Sequence, residues 1–148
     1  MKNIYNKTVQ FILLSLLVSF HSQAFAESSE SVGNFVVHYN ALSTESLPPT
    51  VARAYGITRS KNKGLLNISV LKKGGNFEGV EADIDVSATN LTGQLRNIEL
   101  RKITEQNAIY YISVFSVADR ETLDFSIKVT TADNKTSNLK LRQQFFSN

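Results

Sequence analysis

Val80-Glu81-Ala82-Asp83-Ile84-Asp85-Val86-Ser87-Ala88-Thr89 alternates apolar and polar side chains through ten consecutive positions. Successive side chains of a strand point to opposite faces, so this stretch reads as a strand with one buried and one wet face. Working outward, the pattern recurs. Leu66, Ile68 and Val70 alternate with Asn67 and Ser69, and Leu123, Phe125, Ile127 and Val129 form another such row. Leu139, Leu141 and Phe145 continue it near the C-terminus, while Phe35, Val37, Tyr39 and Ala41 share one face of a strand near the start. Leu95, Ile98, Leu100 and Ile103 slip out of phase, which predicts a single strand carrying a bulge. Ile109 to Val117 is apolar on both faces and so belongs in the middle of a sheet or under a cover on each side. Gly74-Gly75-Asn76, Asn90 to Gly93, Gln106-Asn107 and Asp133-Asn134-Lys135 supply the turns.

One segment departs from this rhythm. After Ser43 the chain runs through Pro48 and Pro49, a residue that presets φ for a first helical turn, to Gly56, which can take the left-handed position that ends a helix. Val51 and Tyr55 lie four apart, so the reading is one short helix packing that face across an open end of the sheets. Short, regularly spaced strands with helix confined to one place predict an all-β fold. The expected architecture is an immunoglobulin-like antiparallel β-sandwich of about seven strands, with one short helix after the first strand. An up-and-down barrel is the alternative, disfavoured by the long early connection. Basic residues commonly blunt sheet edges, so Lys72-Lys73, and Lys140 with Arg142, mark Leu65–Leu71 or Thr136–Phe146 as an exposed edge.

Residues 1–26 read as a cleaved signal peptide: Lys2 and Lys7, an apolar run from Phe11 to Phe20, then Ala24-Phe25-Ala26. The run falls short of the roughly 20 residues needed to cross a bilayer, and no cysteine follows it for lipid attachment. Residues 27–33, polar and serine-rich, are expected to be flexible, and 34–148 to form a single domain. Removing the 26-residue leader with its two lysines from a 148-residue chain of 16 basic and 13 acidic residues leaves 122 residues and 14 basic against 13 acidic. That balance gives no footprint for nucleic acid or a membrane surface. The chain has no cysteine, so its core alone must hold it in an oxidising compartment. The expected location is the periplasm.

The segment with the helix carries a resemblance. His38-Tyr39-x-Ala41, Pro49-x-Val51-Ala52-x-x-Tyr55-Gly56-Ile57 and Arg59-Ser60-Lys61-x-x-Gly64 resemble a family of small exported gammaproteobacterial proteins classed only as a domain of unknown function. The resemblance spans the mature chain and assigns no role to any residue.

Chemistry-bearing residues are sparse. His38 is the one histidine outside the leader, flanked by Tyr39. With no cysteine and no G-x-S-x-G pattern nothing supplies a nucleophile, and one imidazole is too few for a zinc or copper site. The expectation is therefore no catalytic residue, no metal and no cofactor. Glu81, Asp83 and Asp85 repeat along one strand face and read as a solvated surface. Arg59, Ser60 and Lys61, with Lys63 beyond and Arg53 on the helix before, form a basic loop able to receive a carboxylate or phosphate. The candidate binding residues are thus His38, Tyr39, Arg53, Arg59, Ser60 and Lys61. Two functions fit them. The leading one is a non-catalytic envelope module that binds a protein or peptide, by an edge strand or by the face around the helix and basic loop. The other is a binder of small anionic ligands, or a weak hydrolase, using His38 with the basic loop. A concavity bringing His38, Arg59 and Lys61 together would favour the second.

Overall fold

The computed structural model describes residues 28–76 and 78–147, so the leader and its cleavage site lie outside the described residues. Nine strands lie among the described residues: β1 (Ser28–Val32), β2 (Phe35–Ser43), β3 (Lys63–Lys72), β4 (Asp83–Asn90), β5 (Leu95–Asn97), β6 (Arg101–Glu105), β7 (Ala108–Ser116), β8 (Thr122–Thr130) and β9 (Thr136–Gln144). They form two antiparallel sheets, ordered β1-β2-β3-β7-β6 and β5-β4-β8-β9. Leaving β1 aside, β2-β3-β7-β6 and β5-β4-β8-β9 reproduce the two-sheet strand order of an immunoglobulin domain. The fold is an immunoglobulin-like β-sandwich.

Alternation builds the core. Val37 of β2, Leu66, Ile68 and Val70 of β3, and Leu123, Ile127 and Val129 of β8 are completely buried between the sheets. Each such side chain contributes roughly 1.5–3 kcal/mol through removal from water. At one end, the Phe115 ring lies 5.6 Å from Phe125 and 5.8 Å from Phe145, the second pair at 85°. These are the tilted and edge-on geometries that aromatic quadrupoles favour. Gly64 faces this cluster because a methyl there would sit 2.5 Å from Phe115 Cε2.

Three expectations are corrected. Ser28–Val32, expected to be flexible, pairs with β2 along all five residues; an edge strand needs its backbone groups more than an apolar sequence, and only Val32 of the five is buried. The Leu95–Ile103 phase slip is not a bulge in one strand. It is where the chain leaves one sheet for the other, with buried Ile98 between β5 and β6. These two changes raise the strand count from about seven to nine and place the helix after the second strand. The helix α1 (Pro49–Ala54) does not cross an open end. It lies against the outer face of the five-stranded sheet, where Ala52 and Ile57 pack with Leu65 and Ile112. That cover explains why β7 is apolar on both faces. The expectation of an edge at Leu65–Leu71 or Thr136–Phe146 is met by the second, since β9 borders its sheet while β3 is interior.

Candidate functional site

The segment that carries α1 is fastened at both ends. Where β2 stops, Ser43 Oγ accepts from the Glu45 amide (3.3 Å), starting a 3₁₀ turn over Thr44–Ser46. Thr44 is fully buried, and its hydroxyl ties this turn to the loop beyond the helix. It accepts from the Ser60 amide (2.9 Å) and donates toward the Thr58 and Ser60 carbonyls (3.1 Å each). Pro49 occupies a first-turn position. At the other end Gly56 takes φ +64°, its amide donates to Arg53 O (3.2 Å) and the Ile57 amide donates to Ala52 O (2.8 Å). This is a Schellman motif, and its usual apolar contact is the buried pair Ile57 and Ala52. Two further bonds fix the helix to β6: Arg101 Nη2 to Tyr55 O (2.7 Å), and Tyr55 Oη to Glu105 Oε2 (2.8 Å). The bond to Glu105, then burial, pushes the Tyr55 phenol above its ordinary pKa.

Held this way, the segment roofs a pocket of about 230 Å³ on the outer face of the five-stranded sheet. Leu47, Val51, Tyr55 and Ile57 line it from the roof; Leu42, Leu65, Ile103, Tyr110 and Ile112 line it from the sheet, together with Asn40 and Asn67. The two asparagines are cross-strand partners, and Asn67 pairs on its other side with Ile112. Asn67 Oδ1 is buried and has no hydrogen-bond partner among the described residues. An acceptor left so costs about 1–3 kcal/mol. Val51 and Tyr55, expected to be the buried face of the helix, instead sit at the pocket: Val51 is 36% exposed and Tyr55 half-buried, while Ala52 faces the sheet.

The expected site residues do not form one constellation. His38 lies on β2 between Ser29 of β1 and Ser69 of β3, half-buried and engaged by its surroundings. It is two residues from Asn40 on the same outer face and does not line the pocket. Tyr39 points the opposite way into the core at 6% exposure, where burial, then the Glu30 charge, raises its pKa. Arg59 is spent on architecture, donating from Nη2 (2.8 Å) and Nε (3.3 Å) to the Glu45 carbonyl. Ser60 likewise holds the loop, its backbone on Thr44 and its hydroxyl accepting from the Asn62 amide (3.1 Å). Arg53 and Lys61 are exposed, Arg53 Nε reaching back to Pro49 O at 3.4 Å. Glu81, Asp83 and Asp85 are exposed, and Glu81 pairs with Lys102 (2.5 Å). Among the described residues no three His, Cys, Asp or Glu side chains converge.

The profile of the domain of unknown function DUF4426 matches residues 29–148. The chain belongs to the DUF4426 family. It is 35% identical to a DUF4426 family protein from Pseudomonas aeruginosa PAO1, whose crystal structure it matches with a TM-score of 0.68 over 82% of this chain and 96% of that one. The resemblance stated from the His38-to-Gly64 residues is therefore to the family in which the chain sits. A copper-bound variant of FetP from uropathogenic Escherichia coli strain F11 matches with a TM-score of 0.54 over 83% of this chain and 92% of that one. At 11% identity that likeness is one of fold alone. No curated protein matches the chain.

Proposed function

We propose that this DUF4426 domain is a non-catalytic periplasmic module that binds another envelope protein or a peptide, taking one partner side chain into the pocket beneath α1. One observation carries the reading: a walled apolar hollow with a buried, unpartnered acceptor in its lining. Native interiors rarely leave such an acceptor without a partner, and a site that completes itself on binding is one reason to do so. The size argues for a side chain. About 230 Å³ exceeds the roughly 150 Å³ of an apolar cavity that admits benzene, and falls below the roughly 300–1,000 Å³ of sites for larger ligands. Arg53 and Lys61 project from the helix and the loop after it and offer charge to a partner's flanking residues. The leader pattern of residues 1–26 supports export, and no described helix is long and apolar enough to cross a membrane. The anionic-ligand alternative asked His38, Arg59 and Lys61 to share a concavity; none of the three lines this one.

The test is site-specific photo-crosslinking in intact envelope. A photoreactive side chain at Val51, on the pocket, is expected to trap a discrete protein that a probe at exposed Lys128 on β8 does not. Val51→Trp, which fills the hollow, is expected to keep the wild-type melting temperature and to remove that adduct from a probe placed at Arg53. An adduct that survives Val51→Trp overturns the reading.

A further inference from the structure

We infer that the pocket selects an aromatic side chain that ends in a hydrogen-bond donor, tyrosine or tryptophan, over one that is purely apolar. The inference rests on the reading of the pocket as a side-chain site and adds what kind of side chain it takes. Leu42, Leu47, Val51, Ile57 and Ile112 present hydrocarbon to the occupant, so its body must be apolar. The half-buried Tyr110 ring joins them, and a second ring can pair with it in an offset or edge-on arrangement. The polar end is fixed by Asn67. Its Oδ1 is an acceptor without a donor, so the group that meets it must bring an N–H or O–H.

The other polar classes fit less well. A carboxylate or phosphate would set an anion against a carbonyl oxygen, with no Lys, Arg or His side chain in the lining to balance it. Arg101 stands nearby but is committed to Tyr55 O (2.7 Å). An ammonium would be buried without a carboxylate partner in the lining, which costs far more than one hydrogen bond returns. Serine and threonine carry a donor but leave most of the hollow unfilled. Phenol and indole side chains combine a rigid ring with one neutral donor at its edge, and place them where few rotatable bonds are frozen.

Side-chain analogues decide the question on residues 27–148, which hold all of the described fold. p-Cresol and 3-methylindole stand for tyrosine and tryptophan, toluene for phenylalanine, and 4-methylanisole keeps the ring and its oxygen but cannot donate. Titrations are followed by the backbone amide resonances of Ile57, Asn67 and Ile112. Both donors are expected to bind at least about tenfold more tightly than toluene and 4-methylanisole, the factor that pairing a buried acceptor supplies. Asn67→Leu is expected to bring all four level. Toluene binding as well as p-cresol to the wild-type domain overturns the donor inference and leaves the pocket as an apolar site. If no analogue moves these resonances, the pocket reading falls, and the inference with it.

Discussion

Thr44→Val removes a single hydroxyl and little volume, so it isolates what that hydroxyl holds. Thr44 is completely buried, and its oxygen serves the Ser60 amide at 2.9 Å and the carbonyls of Thr58 and Ser60 at 3.1 Å. Valine keeps the branched shape, so no cavity opens, and the loss lies in hydrogen bonding. The Ser60 amide becomes a donor facing a methyl group, a cost of about 1–3 kcal/mol. Thr58 is exposed, so its carbonyl turns to water at small cost. The sum is about 2 kcal/mol, and at about 4 °C per kcal/mol for a domain of this size the melting temperature falls by roughly 8 °C. Urea unfolding read by tyrosine fluorescence suits the chain, which has five tyrosines and no tryptophan. Thr44→Ser keeps the hydroxyl and should stay within about 1 kcal/mol of wild type. The Ile57 and Ser60 amides should exchange faster in the valine variant, because the loop they occupy is what the hydroxyl ties down. One result refutes this: Thr44→Val within about 0.5 kcal/mol of wild type, with the Ser60 amide exchanging no faster.

Other outcomes follow from the same geometry. Gly64→Ala puts a methyl 2.5 Å from Phe115 and 2.9 Å from Phe145; it should cost about 1–3 kcal/mol by overpacking and alter the near-ultraviolet circular dichroism of the ring cluster. Asp133 accepts from Thr131 Oγ1 (2.6 Å) and from the Asn34 amide (3.1 Å), bonds that hold its pKa below the usual carboxylate range. A depressed folded pKa contributes stability above the unfolded value, about 3.9 for Asp, and loses it as pH falls through the folded value. The gap in urea midpoint between wild type and Asp133→Ala should therefore close as pH drops below about 4; a gap constant from pH 7 to 2 would contradict the linkage.

Much of the fold was legible because period-two alternation reports burial directly. The rows at Leu66–Val70 and Leu123–Val129 went to the core as read, and Gly56 took the left-handed position its place after the helix demanded. The double-sided Ile109–Val117 called for the middle of a sheet or a cover on each side, and β7 has both. The sequence misleads on the place and buried side of the helix, since a helix of six residues has too few turns to show which side is buried. The Schellman closure, with Ile57 folded back on Ala52, turned that side. A phase slip has the same signature whether a strand bulges or changes sheet, so Leu95–Ile103 was ambiguous at its source. The pocket was invisible for another reason. Asn40 and Asn67 become neighbours only through the β2–β3 register, which no local pattern encodes. Arg59 and Ser60 stood out as recognition residues because they are polar and lie in a loop, yet that loop consumes them in holding itself.

The chain visits its two sheets in turn: β1 to β3 in one, β4 and β5 in the other, β6 and β7 back in the first, β8 and β9 in the second. Consecutive strands within each visit pair antiparallel, β2 and β3 across the segment that carries α1, and each sheet is joined across visits by one distant pairing, β3 with β7 and β4 with β8. No single cut among β3 to β8 therefore leaves both sheets whole: a cut between β7 and β8 keeps the first and splits the second, and one between β3 and β4 does the reverse. A chain emerging from its N-terminus, from a ribosome or a secretion pore, presents β3 with one edge unpaired and Leu66, Ile68 and Val70 uncovered until β7 and then β8 arrive. Unpaired edges and bare apolar faces are where partly made β proteins associate wrongly. The interval between the appearance of Lys72 and that of Thr130 is when this molecule most needs a chaperone, and slowing emergence within it should cost more yield than slowing emergence after it.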